Sequence, residues 1–178
     1  KRKDGIMTII IVLLLLMLAL LSILEVSFTS LNIIRIKRLA DTGNKSAKVV
    51  YKLYSNYSET LTTILVINCI CGILVSTLTT YYFSNLYGDK IIPLVTIILT
   101  IIILVFTEIA PKIIGREYAE DYALKLCNLL KWMVKLLLPL TKAIGKFEKK
   151  VKNNHEVTAT KDELVEIVKT IKEEGVIE

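Results

Sequence analysis

IIPLVTIILTIIILVFTEIAPK, residues 91–112, decides how this chain folds. Ile91 to Thr107 holds no charge over 17 positions, and past Glu108 the apolar run continues to Ile114. About 20 such residues cross a bilayer as a helix. A carboxylate inside a span is expensive unless a partner, water or an ion meets it, so Glu108 marks a site or a pathway.

Two further stretches repeat the pattern. Ile6 to Leu24 is free of charge over 19 positions and Leu61 to Phe83 over 23. The first is followed at once by Glu25, and the second contains Asn68. The chain has 178 residues, is 53% hydrophobic and has a mean hydropathy of +0.57, a bias a soluble domain does not need. The reading is an all-α membrane protein with three transmembrane helices, at about 6–31, 61–83 and 91–111. The first run is too long for a signal-peptide core, and no A-x-A-like cleavage site follows it.

Charge orients the spans. Residues 32–60 hold six Lys/Arg against two acids, and residues 111–152 hold ten against four. Ser84 to Lys90 holds one lysine. The positive-inside rule places the first link and the C-terminus in the cytoplasm, with the N-terminus and the Gly88 link outside, although Lys1, Arg2 and Lys3 point the other way.

With that orientation the three polar residues fall at one depth. At 1.5 Å per residue, Glu25 lies roughly 9 Å from the inner end of its span, Asn68 roughly 10 Å and Glu108 roughly 8 Å. Ser22 and Thr29 share the helix face of Glu25. Carboxylate, amide and hydroxyl oxygens together suit Mg²⁺ or Ca²⁺, or Na⁺ with fewer charges. The plain alternative stays open: the two acids pair with lysines, Lys112 being one turn below Glu108, and Asn68 hydrogen-bonds between helices.

Outside the spans, Asn32 to Leu39 mixes basic and apolar residues at helical spacing, Asp41-Thr42-Gly43-Asn44 signals a turn, and Lys45 to Tyr57 reads as a second helix with Val49, Val50, Leu53 and Tyr54 on one side. Together they make a cytoplasmic helical hairpin. Pro111 is expected to break the third span and free carbonyls near Glu108. Tyr122 to Leu140 carries Lys125, Asn128, Lys131 and Lys135 on one arc and Leu, Met, Val and Trp132 opposite, the pattern of an amphipathic juxtamembrane belt helix, about 118–147, rather than a fourth span. Residues 156–178 hold seven acids and three lysines. There Thr160-Lys161-Asp162-Glu163 is a capping box, and Leu164, Ile167, Val168 and Ile171 form a stripe, the start of a soluble acidic helical bundle.

Cys69 and Cys71 point about 200° apart on a helix and cannot share a metal from it; with Cys127 they read as packing residues. His155 sits in a polar stretch. No Gly-rich phosphate loop, Ser/His/Asp set or Cys/His cluster appears, so enzymatic chemistry is not expected. Basic residues beside apolar spans point to membrane lipids, not nucleic acid.

Leu24-Glu25-Val26-Ser27-Phe28-Thr29-Ser30-Leu31, followed by Arg35, Arg38-Leu39 and Gly43-Asn44, resembles the first helix and loop of the DUF21 transmembrane domain. Thr63-Ile64-Leu65 with Asn68, and Glu108-Ile109-Ala110-Pro111-Lys112, are similar to its second and third helices, the last to a G-E-x-x-P-K signature. This is the domain of the CorC/cyclin M (CNNM) family of magnesium transporters, also described as hemolysin-related. Thr107 stands where the family has Gly, Ser27 where a small residue is usual, and Ile67-Asn68-Cys69-Ile70-Cys71-Gly72 keeps one Asn of the family's G-N-N-x-x-N.

The resemblance implies a plasma-membrane homodimer that exports Mg²⁺ in exchange for Na⁺ through an inward-facing cavity lined by all three helices. Glu108 and Asn68 would be direct ligands, Ser22 a hydroxyl ligand, Glu25 a ligand or electrostatic neighbour, and the carbonyl near Thr107 a further donor. Residues 1–150 would form the DUF21-like domain and 151–178 the beginning of the acidic bundle. Cytosolic CBS domains binding ATP-Mg²⁺ would lie beyond this chain. Two other readings stand beside transport: a membrane scaffold or regulator of ion homeostasis, and a hemolysin-like pore.

Overall fold

Each charge-free run becomes a long helix. The computed structural model describes the backbone of residues 2–152 and the side chains of residues 5–138. The order is α1 (Arg2–Thr29), α2 (Ile33–Asp41), α3 (Lys45–Ser55), α4 (Tyr57–Tyr87), a 3₁₀ turn (Asp89–Ile91), α5 (Ile92–Ile102), a π-helical segment (Ile103–Ile109), α6 (Ala110–Glu117) and α7 (Ala119–Lys152). No strand occurs among the described residues. Gly5–Thr29, Tyr57–Tyr87 and Asp89–Glu117 are each long and apolar enough to cross a membrane. Only helices and closed barrels satisfy every backbone polar group in lipid, and here helices do so.

The connections follow from local chemistry. The Asn32 side chain accepts from the Arg35 N–H at 3.2 Å and the Asn44 side chain from the Ala47 N–H at 3.1 Å, which caps α2 and α3. Between them Gly43 takes φ +96°, a conformation that a Cβ disfavours, and the chain reverses into the expected hairpin. The turn between the second and third spans rests on Gly88 at φ +79° and on the Ser84 hydroxyl, which donates to the Asp89 carboxylate.

Helix α1 lies against α4, α6 and the π-helical segment. One buried cluster, Leu18, Leu21, Cys71, Val75, Leu99 and Met133, joins the three spans and α7. A second, built on Phe28, Ile36, Val50, Ile64, Cys127 and Leu130, gathers the end of α1, the hairpin, the start of α4 and α7. There Phe28 stacks on Tyr57 at 5.6 Å between ring centroids, with Tyr54 against both. The buried Thr60 hydroxyl donates to the Leu53 carbonyl at 2.9 Å and ties α4 to the hairpin. Between helices in lipid, close packing and such hydrogen bonds replace the hydrophobic drive.

The tightest approach is at Gly115. A Cβ there would lie 2.8 Å from the Ile23 carbonyl oxygen and 3.1 Å from the Ile23 Cα, and the buried Ser27 hydroxyl donates to the Gly115 carbonyl at 3.0 Å. These are backbone atoms, so nothing yields without moving a helix. Gly115→Ala is therefore expected to destabilise the chain by about 1–3 kcal/mol. Gly72→Ala, whose Cβ meets nothing within 4 Å, should not. Thermal unfolding of both variants in detergent checks this; equal losses would count against the close α1–α6 contact.

Three expectations need correction. The third span does not end at Pro111: it widens into π-helical turns at Ile103–Ile109 and continues as α6 to Glu117. Ala110 stays helical at φ −62°, ψ −46° because the wider turn removes the carbonyl clash that Pro111 would make in an α-helix. On α7 the place of Trp132 differs. The buried line, Ala119, Ala123, Cys127, Leu130 and Met133, lies opposite the exposed lysines, whereas Trp132 is 61% and Leu136 59% exposed. At 100° per residue Trp132 falls within the lysine arc, between Asn128 and Lys125, so it faces outward with them. The spans reach Thr29 rather than 31, and Tyr57–Tyr87 rather than 61–83. The acidic helix expected at 160–178 and His155 lie outside the described residues.

Candidate cation-binding site

The π-helical segment accounts for how Glu108 is aimed. Val95, Leu99, Thr107, Pro111 and Gly115 are all buried and fall on a strict four-residue repeat, with partly buried Ile103 completing it. In an α-helix each four-residue step drifts by about 40° around the axis. The wider π-helical turns drift back, so the stripe keeps facing α1 and α4 through the site. π-bulges recur at functional sites.

Glu108 and Glu25 come together on one ammonium. Lys112 Nζ lies 2.8 Å from Glu108 Oε2 and 3.6 Å from Glu25 Oε1. Asn68 Nδ2 donates to the other Glu108 oxygen, Oε1, at 3.5 Å. The three polar residues that sequence places at one depth, one per span, thus form a single constellation. The amide orientation is the reasonable one, since the reverse would set Asn68 Oδ1 against a carboxylate oxygen.

Two oxygens of the expected ligand set are left without partners. Ser22 Oγ and Asn68 Oδ1 are buried and accept or donate no hydrogen bond among the described residues. A buried polar atom without a partner costs about 1–3 kcal/mol, so such atoms commonly meet a ligand, an ion or a water. The Ala110 N–H reaches the Val105 carbonyl, five residues back. In that register the Phe106 carbonyl would look to Pro111, which has no N–H. The Thr107 hydroxyl is engaged: it donates to the Ile103 carbonyl at 2.9 Å. Thr29 likewise spends its hydroxyl on the Val26 carbonyl at 3.1 Å.

Two carboxylates and one ammonium leave a formal charge of −1. The site is not sealed: Glu25, Glu108 and Lys112 side chains are 19%, 30% and 35% exposed. The donors are all oxygens, and among the described residues no group of three or more His, Cys, Asp and Glu gathers. Such a set fits a hard cation, not a soft transition metal. The contacts present are those of the plain alternative: both acids pair with Lys112, and Asn68 hydrogen-bonds between helices. The four-residue spacing of Lys112 from Glu108 is its signal in the sequence.

A family model described as the cyclin M transmembrane N-terminal domain (CNNM) matches residues 9–178. A UPF0053 protein of Haemophilus influenzae is 33% identical over 89 residues, which are 50% of this chain and 21% of that protein. The UPF0053 inner membrane protein YfjD of Escherichia coli is 36% identical over 80 residues, 45% of this chain and 19% of that protein. The matched region thus spans about a fifth of the length of these relatives.

Proposed function

This chain belongs to the cyclin M transmembrane N-terminal domain family, and on that premise we propose that it binds a divalent cation, Mg²⁺ first, between Glu25, Asn68 and Glu108 and carries it across the membrane. One observation carries the reading. Carboxylates from two spans share a single lysine, while the buried Ser22 and Asn68 oxygens beside them lack partners. Glu108 supplies charge, Asn68 Oδ1 and Ser22 Oγ supply neutral oxygens, and Glu25 supplies charge as a ligand or close neighbour. Mg²⁺ gives up its water reluctantly, so full charge on Glu108 is essential. Lys112 acts as a tethered counter-ion that an incoming cation must displace from both carboxylates.

The direction is export and Na⁺ is the coupling ion in this reading. The protein works as a homodimer in the plasma membrane, in keeping with the inner-membrane location named for the Escherichia coli relative. No covalent step is involved. A second reading, a membrane scaffold, draws on the same lysine, because Lys112 also ties α1 to the third span.

Mg²⁺ flux in proteoliposomes with and without a Na⁺ gradient separates these. Transport gives saturable flux that responds to Na⁺ and vanishes in Glu108→Gln. A scaffold gives no flux above empty vesicles, and a pore gives fast leak without saturation.

A further inference from the structure

Away from that site, α3, the first turn of α4, and α7 enclose a cleft of about 420 Å³. Lys48 and Lys52 reach it from α3, and Lys131 and Lys135 from α7. Each pair is spaced i,i+4, so each forms a ladder along one face of its helix, and both ladders line the cleft. Glu59 is the one acid in the lining. The ion pairs of the described residues involve Arg35 and Lys112, and none of these four lysines. Apolar residues complete much of the lining: Val49 and Leu53 from α3, Val134 and Leu138 from α7.

We propose that this cleft holds the headgroup of an anionic phospholipid, with its glycerol and upper acyl chain on the apolar walls. Four positive charges over hydrocarbon match an anionic amphiphile better than a free anion. Depth agrees. Glu59 and Thr60 lie at the start of a candidate span, Tyr57–Tyr87, where headgroups would sit. Trp132, next to Lys131 on α7, is 61% exposed, and an outward tryptophan is a membrane-interface anchor. Juxtamembrane lysines attract anionic lipid at close range. Which ion, if any, the other site carries has no bearing on this cleft.

Trp132 is the only tryptophan in the sequence and reports on its own surroundings. The 178-residue chain is reconstituted in phosphatidylcholine vesicles containing brominated phosphatidylglycerol or brominated phosphatidylcholine, and quenching of its fluorescence gives relative lipid affinity. Phosphatidylglycerol should be preferred by about fivefold or more. Changing Lys48, Lys52, Lys131 and Lys135 together to Gln should reduce the preference to about one, whereas changing them to Arg should retain it. Removing the same number of charges at Lys37, Lys45, Lys90 and Lys125 should leave it intact, which guards against a general charge effect. A preference that survives the four Gln changes overturns the assignment. So does loss of the preference on adding inorganic phosphate, which points to a free anion. A preference that emerges only after the acids of residues 156–178 are neutralised assigns the cleft to that segment instead, and equally overturns it.

Discussion

Glu108→Gln is expected to abolish the thermal stabilisation that Mg²⁺ gives the purified chain. A ligand that binds only the folded state adds about 2.7 kcal/mol at a hundredfold excess over Kd. That is a melting shift of several degrees for a chain of this size. Gln keeps the size of Glu and an amide oxygen at the same place, but the site loses a full charge where a divalent ion must be stripped of water. The fold should tolerate the change. Lys112 keeps Glu25 at 3.6 Å, and the lost Glu108–Lys112 pair is partly exposed, so its removal is worth about 1 kcal/mol or less. The variant should therefore melt close to the unliganded wild type and stay there as Mg²⁺ is added. An undiminished shift removes Glu108 from the ligand set.

Lys112→Met should move the system the other way. Removing the ammonium leaves Glu25 and Glu108 facing the same space with no counter-charge, and the formal charge of the site goes from −1 to −2. Two unit charges at about 4 Å interact by about 4 kcal/mol at an effective dielectric of 20, and partial exposure reduces this. The unliganded variant should melt lower than wild type. It should bind Mg²⁺ at least about tenfold more tightly, since the ion no longer competes with a tethered cation. In flux assays the same change should slow release. Titration of the Mg²⁺-dependent melting shift checks both halves. If affinity falls instead, Lys112 is supporting the ligand geometry rather than opposing the ion.

The spans were legible because hydrocarbon tolerates so few polar residues that 17 or more uncharged positions in a row, three times over, mark segments built for lipid. For the same reason Glu25, Asn68 and Glu108 stood out, and one depth followed from counting residues along helices that alternate in direction. What sequence reading missed was winding. Pro111 reads as a break because it removes an N–H and clashes with the preceding turn of an α-helix. A π-helical segment absorbs both effects without ending the span. The four-residue repeat from Val95 to Gly115 shows itself only through burial, because its neighbours along the span are almost all apolar too. The packing face of the belt helix follows from its lysine arc: Ala123, Cys127, Leu130 and Met133 are buried on the opposite side, and Trp132, which a helical count places inside the arc, is exposed.

Lys112 shows the same limit in the site itself. Its spacing from Glu108 was visible, but the reach to Glu25 depends on α6 packing against α1, and that contact rests on Gly115 having no side chain. A residue outside the ligand set thus sets the geometry of the carboxylate pair. Gly115→Ala, beyond its effect on stability, should also weaken Mg²⁺ binding.

Calorimetric titration of Mg²⁺ into the purified chain, wild type beside Glu108→Gln, decides whether Glu108 holds the ion. One saturable site is expected in the wild type and none in the variant at the same concentrations. Indistinguishable binding curves would contradict it.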